Sequence, residues 1–478
     1  MFVRKLDDQR FEIPKSGEMR VPGLVYASER LMKALADDPC LEQVRNVAHL
    51  PGIVKASLAM PDIHWGYGFP IGGVAALDEE EGVVSPGGVG YDINCGVRVV
   101  TTALHVDEVR GALRQVVAQL FRDVPCGVGA RNAIDTLEDE ELSEVLVKGA
   151  AWAVGRGFGR AEDLSRTEEG GRLASADPDA LTERARTRGS DAVGTLGSGN
   201  HFLEVQEVAE VFDPATAERF GLFPGQVTVM IHSGSRGLGY QVCDDSLKEM
   251  GPAMQRYRIA LPDRQLASVP IRSPEGERYL GAMAAAANFA WANRQIMMGL
   301  AERALCKALG IGAGALGAQL LYDVCHNIAK REVHTVGGRE RRLLVHRKGA
   351  TRAFGPGSRE LPEIYRATGQ PVLIPGDMGR ASYILVGTAR AMDETFGSSC
   401  HGAGRVMSRG EAMRRAKGRN VHQEMKERGV EVASRAKKTL AEEMPEAYKD
   451  VSEVVAVMHD AQISRRVARL RPLGVIKG

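Results

Sequence analysis

The stretch Ser85–Arg98, SPGGVGYDINCGVR, holds Gly87, Gly88, Gly90 and Gly96, with Gly82 just upstream, and this predicts a loop instead of a regular helix or strand. Glycine lets the backbone take positive φ and approach a ligand closely. Into this loop the chain places Asp92 and Cys95, two anionic ligand types three positions apart. A carboxylate and a thiolate side by side repel unless a cation lies between them, and a divalent metal fills that role. An N-capping aspartate beside a buried structural cysteine gives the same spacing, so the loop alone does not decide. Its flanks set its place in the fold. IGGVAAL (71–77) before it and VRVVTTAL (97–104) after it predict apolar strands, so the loop hangs between two strands of a packed scaffold.

The composition bounds the rest. A chain of 478 residues with 44% hydrophobic content has room for a large core and is ordinary for a globular protein. The net charge of +1 means that any nucleic-acid contact rests on a local basic face. Seven scattered cysteines without a CxxC pair argue for a reducing compartment and against a disulfide scaffold or a zinc ribbon. The opening MFVRKLDDQRFE lacks an apolar core, which predicts no signal peptide. The long uncharged run from Ala56 to Leu77 is broken by Pro61, Asp62, His64 and Pro70, which excludes a membrane span. A soluble, cytoplasmic protein is expected.

Outward from the loop, residues 1–25 predict short strands, and Ser28 caps a first helix that is followed by a second from Leu41 to Leu50. Apolar spacing predicts single helices over Val106–Val124 and Glu140–Arg156. The polar run Glu162–Asp191 is expected as an exposed excursion or a lid. QVTVMIH (226–232) predicts a buried strand. Ser273-Pro274-Glu275 opens a long helix that runs to a C-terminal Gly310. Strands follow at 343–348 and within PVLIPGDMGRASYILVG (371–387), and Glu411–Lys438 reads as a basic, largely helical segment. Strands lie along the whole length and candidate site residues come from every third of it. This predicts one interleaved α+β domain over residues 1–478.

Four of the eleven histidines stand in glycine-flanked, strand-end or cysteine-adjacent contexts: His201 in TLGSGNHFLEV, His232 in MIHSGSRGLG, His326 in YDVCHNIAK and His401 in GSSCHGAGR. With Asp92 and Cys95 they form a mixed O, N and S donor set that suits zinc, a late first-row metal or manganese. One thiolate can bridge two metals and place them for phosphoryl chemistry. The loops GTLGSGN, SGSRGLG, GDMG and CHGAG can each present backbone N–H groups to phosphate. None matches the phosphate-loop or dinucleotide patterns. Arg186, Arg188, Arg236, Arg347, Lys348, Arg352, Arg405 and Arg409 stand near these loops and suit a polyanionic substrate. His401, on a glycine-rich loop with Arg405 close by, is the candidate nucleophile toward phosphorus, with Lys348 its rival.

Together, YDINCGVR, TLGSGNHFLEV, HSGSRGLG, CHN and SSCHGAGR resemble the RtcB family of RNA ligases over roughly Met60 to Lys477. The resemblance implies an RtcB-type fold, with mixed β-sheets at the core surrounded by helices. It implies a ligase that joins RNA 3′-phosphate or 2′,3′-cyclic phosphate ends to 5′-hydroxyl ends with GTP and two Mn²⁺ ions. Asp92, Cys95 and His201 would hold one ion, and Cys95, His232 and His326 the other. His401 would be the guanylylated nucleophile, and Asp62 would orient its imidazole. The GMP pocket would comprise Asn200, His201, Phe202, Leu203, Glu204, His326, Asn327, Pro375, Gly376, Asp377, Met378, Ser382, His401, Gly402, Ala403, Gly404, Tyr448 and Lys477. The implied partners are RNA (tRNA halves or broken ends), GTP and an archease-like activator. The competing readings are a metal-dependent phosphodiesterase that only opens cyclic phosphates, and a non-catalytic RNA-binding accessory protein.

Overall fold

A computed structural model describes residues 1–36, 38–131 and 133–478. Two large sheets carry the molecule. In the first, the strands run in the order Arg4–Lys5, Arg10–Ile13, Gly23–Tyr26, Ser57–His64, Ile71–Asp78, Arg339–Lys348 and Asn327–Val336. All neighbours are antiparallel except Gly23–Tyr26 with Ser57–His64. In the second, the order is Gln319–Cys325, Gly96–His105, Gln226–Ser233, Phe202–Val211, Ser464–Lys477, Ser382–Gly387 and Pro371–Ile374, all antiparallel. Its last strand comes back against Gln319–Cys325 and Gly96–His105, so this sheet nearly closes on itself. Helices surround both sheets, an α+β architecture as expected.

The helix Pro274–Leu309 is the main buttress. Ser273 caps its start by accepting from the Gly276 N–H, and Gly310 ends it in the left-handed conformation, as the sequence signals predict. It is 36 residues long, and its alanine-rich surface is buried on nearly every side. Two of its buried asparagines fasten neighbouring segments. Asn288 bonds Leu173 and Leu146, and Asn293 bonds Thr195 and Gly234. No helix among the described residues is long and apolar enough to cross a membrane.

Several sequence expectations change here. The helix expected over 106–124 is two, Val106–Arg110 and Leu113–Asp123, parted at Gly111. That over 140–156 breaks at Gly149, whose φ of +58 and contact with the Gly171 carbonyl leave no room for a side chain. The segment 411–438 contains the strand Glu431–Ser434, parallel to Ser464–Lys477. The polar run 162–191 is exposed or half-buried along most of its length and is also pinned from beneath. Buried Glu168 and part-buried Glu169 pair with Lys330 and Arg352, both buried.

Candidate active site

Strand register assembles the site. Four adjacent strands of the second sheet, Gln319–Cys325, Gly96–His105, Gln226–Ser233 and Phe202–Val211, alternate in direction. Gly96 lies opposite Cys325 and Ser233, and Phe202 opposite His232. His326 after the first strand, Cys95 before the second, His232 near the end of the third and His201 before the fourth therefore meet at one edge. The chain crosses to the first sheet at His326, since Asn327 starts its outermost strand. Across this junction the short pair Ala350–Arg352 and Ser398–Cys400 delivers His401.

The donor atoms converge. Cys95 Sγ lies 3.4 Å from His201 Nε2 and 3.2 Å from His232 Nε2, and His232 Nε2 lies 3.3 Å from His326 Nε2. Asp92 Oδ2 is 2.7 Å from His201 Nε2. Two triads result, Asp92–Cys95–His201 and Cys95–His232–His326, each with all donors within 4.8 Å of one another. Metal–nitrogen bonds of about 2.0–2.1 Å and metal–sulfur bonds of about 2.3 Å put neighbouring ligands of a tetrahedral shell roughly 3.3–3.8 Å apart, close to the three Cys–His and His–His spacings, while Asp92 and His201 stand at hydrogen-bond length. The proton count fits too. Burial, followed by the neighbouring imidazoles, drives His232 and His326 well below the usual histidine range, so both are neutral with lone pairs to give. Burial alone would raise Asp92, but His201 and Arg236 hold it at about 2, ionised. Burial and the Asp92 charge push the Cys95 thiol up, and only a cation at that point makes it a thiolate. The residues fit two cations sharing Cys95.

A buried brace holds this edge rigid. Arg294 of the long helix pairs with Asp323 and donates to the Asn94 carbonyl at 2.7 Å and the Ser233 carbonyl at 2.9 Å. It thus clamps the Asp92–Cys95 loop to the strand ending beside His232. Gly96 is required beneath it, because a side chain there would meet the Val324 carbonyl at 2.6 Å.

His401 faces the centre from the end of the short strand pair. Its Nδ1 lies 2.5 Å from Asp62 Oδ2, and the same oxygen accepts from the backbone N–H groups of His401 and Gly402. Burial opposes the Asp62 charge, but His401 and Lys449 hold its carboxyl below the usual range. A carboxylate on Nδ1 accepts a hydrogen bond from the proton held there and leaves the Nε2 lone pair free. The imidazole packs against His326, with ring centroids 4.8 Å apart. Gly404 (φ +74) is tight against the Asp62 backbone, so only glycine lets the two segments close.

Both centres open on a cavity of about 410 Å³. Of the expected nucleotide residues, Asn200, Phe202, Glu204, His326, Asn327, Pro375, Gly376, Asp377, Met378, His401, Gly402, Ala403, Gly404, Tyr448 and Lys477 line it. His201 does not line it and lies behind Asp92, which does, with Nε2 2.7 Å from the Asp92 carboxylate. The Leu203 side chain does not line it, because strand alternation turns it into the apolar core with Val229 and Ile231. Ser382 sits behind the wall and accepts from the Gly376 N–H at 3.3 Å. Burial pushes Glu204 up to about 7 and Asp377 up to about 6.

The basic residues divide. Arg405, Arg409 and Lys348 line the cavity. Lys348 is pushed down to about 7 by burial, with its ammonium on the Tyr67 and Phe69 carbonyls. Arg347 and Arg352 do not line it: Arg347 is spent on Glu332, and Arg352 on Glu168 and Glu169. Arg186 bonds Ser143 and the Asp139 carbonyl away from the cavity. Sequence reasoning missed Glu443, which receives the Tyr448 phenol and lies 3.5 Å from Lys477 Nζ. It sits in an ordinary polar stretch and no local signal marks it. Arg294 was findable, as the one charged residue in the apolar stretch Tyr279–Ala301 of that helix.

Comparison with known proteins was then informative. The family model described as tRNA-splicing ligase RtcB matches residues 43–478. The tRNA-splicing ligase RtcB of Archaeoglobus fulgidus is 55% identical over 478 residues, covering 100% of this chain and 99% of the relative. That of Thermococcus kodakarensis is 52% identical over 477 residues, with the same coverage of each. The RNA-splicing ligase RtcB of Mycobacterium tuberculosis is 52% identical over 438 residues, covering 91% of this chain and 100% of the relative.

Proposed function

The chain belongs to the RtcB family of tRNA-splicing ligases, and from that membership and the cavity's geometry we propose a GTP- and Mn²⁺-dependent ligase of RNA 3′-phosphate or 2′,3′-cyclic phosphate ends with 5′-hydroxyl ends. The whole chain acts as one catalytic unit, because its site residues run from Asp62 to Lys477. Tyr448, Lys477, Glu204 and Asp377 frame the guanine nucleotide. Asp92, Cys95 and His201 would hold one Mn²⁺ and Cys95, His232 and His326 a second, and the ions when bound supply charge neutralisation and polarisation at the phosphates.

His401 Nε2 attacks the α-phosphorus of GTP. A P–N bond forms, the P–O bond to pyrophosphate breaks, and Asp62 keeps the ring aligned throughout. The GMP then passes to an RNA 3′-phosphate, freeing the imidazole and leaving an RNA 3′-pp-5′-G end. A 5′-hydroxyl displaces GMP and closes the phosphodiester. A cyclic phosphate end is first hydrolysed to the 3′-phosphate. Lys348, with its Nζ held on two carbonyls and its pKa near 7, is placed to meet phosphate charge instead of attacking it.

The observation that carries this reading is the Asp62–His401 pair, with its free nitrogen turned to a cavity that holds both donor triads. Incubation with α-labelled GTP and Mn²⁺ tests it. An acid-labile, base-stable label is expected on the wild type and none on His401→Ala. A chain that never labels but opens cyclic phosphates would instead be a phosphodiesterase. Repeating the assay with an archease-like protein tests activation.

A further inference from the structure

Next to the cavity lies an aromatic series that the reaction above does not use. Tyr67 and Tyr91 line the cavity wall, and their rings meet edge to face with centroids 5.8 Å apart. Tyr91 stacks on Tyr240 at 4.8 Å and 25°. The Arg188 guanidinium lies 5.2 Å from the Tyr240 ring centroid and ends the series. Tyr240 is 46% exposed, and Trp65, two residues before Tyr67, is 59% exposed.

The series has a fixed origin and direction. Tyr91 immediately precedes Asp92, so its inner end adjoins the first donor triad. Tyr240 stands in the first turns of the helix Arg236–Arg256, whose preceding Gly234 packs directly on the Asp92 carboxylate. The outer end is a flat, exposed ring beside an arginine. Large aromatic rings left in water need a reason, and a hydrophobic core does not supply one here. Stacked rings that lead out of a phosphate-handling cavity and end at a guanidinium match the chemistry of single-stranded nucleic acid. Base faces stack on aromatic rings, and arginine meets the backbone or caps the last base.

We propose that the strip Tyr67–Tyr91–Tyr240–Arg188, with exposed Trp65 two residues before Tyr67 in the chain, is the track on which the nucleotides next to an RNA end stack, independently of sequence. This rests on the ligase reading above and extends it to how the strand is held. Its recognition is by ring stacking, so it needs unpaired bases near the end and tolerates any of the four.

The test is fluorescence anisotropy on the full-length chain with Mn²⁺. The probes are single-stranded oligoribonucleotides ending in a 3′-phosphate or a 5′-hydroxyl, each also made abasic at the three nucleotides next to that end. Tyr240→Ala and Trp65→Ala should bind at least one intact probe about five- to a hundredfold more weakly, while Tyr240→Phe stays within about twofold of wild type. The salt dependence of Tyr240→Ala binding should keep the wild-type slope, whereas Arg188→Ala should lower it by about one. On abasic probes the aromatic variants should match the wild type. Unchanged affinity of both aromatic variants for both intact probes, or an equal loss on abasic probes, overturns the track. GTP labelling of the wild type is run in parallel. A wild type that binds RNA but takes no label defeats the ligase reading, while the anisotropy still decides the track.

Discussion

At the residue scale, the decisive contact is Asp62 Oδ2 on His401 Nδ1, because it fixes which nitrogen faces the cavity. Asp62→Asn should slow self-labelling by GTP about 10- to 100-fold with a much smaller change in KM for GTP, as loss of an orienting partner does. Single-turnover labelling measures it, and an unchanged rate would remove the orienting role. In the proposed nucleotide pocket, Glu204 would carry the pH signature. A carboxylate facing guanine accepts its ring N–H and amino protons only when ionised, and burial holds this one at about 7 against an ordinary 4.5. GTP affinity should therefore fall as pH drops through about 7. Glu204→Gln should bind GTP more weakly above that pH and lose the dependence, which KM measured from pH 6 to 8 will show.

At the element scale, the segment 162–191 is held by charge beneath its surface. Lys330 from the strand Asn327–Val336 reaches Glu168 and Glu169, and Arg352 backs the same pair. Removing one partner of a buried pair leaves an uncompensated charge. Lys330→Met should cost about 3 kcal/mol in urea unfolding and open 162–191 to proteolysis. The pin is also acid-sensitive, with a definite sign. The Lys330 charge, against the cost of burial and with help from Arg352, holds Glu169 at about 2 instead of 4.5. Its contribution is complete above about 4.5 and is lost as pH falls from there through about 2, so proteolysis at 162–191 should rise over that window. Intact protection at pH 2 would show that other contacts hold the segment. Polarity alone gave the sequence reading no reason to expect this, because an acid that will be buried and paired is written like one that will be solvated.

At the scale of the whole molecule, the candidate metal donors tie both sheets together, since His326 stands where the chain leaves one for the other. Metal binding should therefore stabilise the fold as well as enable chemistry. At a hundredfold excess over Kd, each bound ion adds about 2.7 kcal/mol, so chelation should lower Tm by several degrees and Mn²⁺ should restore it. Cys95→Ala should abolish binding of both ions by metal analysis, because its sulfur belongs to both triads. Retention of two Mn²⁺ in that variant would refute the shared thiolate.

Much of this was written locally. The Ser273 and Gly310 signals set the ends of the long helix, apolar runs set the strands around the Asp92–Cys95 loop, and glycine-flanked, strand-end or cysteine-adjacent context singled out His201, His232, His326 and His401. Those features depend on neighbours a few residues away, through backbone propensity and period. Tertiary structure alone decided which charges meet. It turned Arg347 and Arg352 inward to buried acids, brought Arg294 to brace the loop, set Glu443 against Lys477 and aimed Leu203 away from the cavity. The physical reason is that strand register and burial fix a polar side chain's partner, and both are settled by residues from 15 to 200 positions distant.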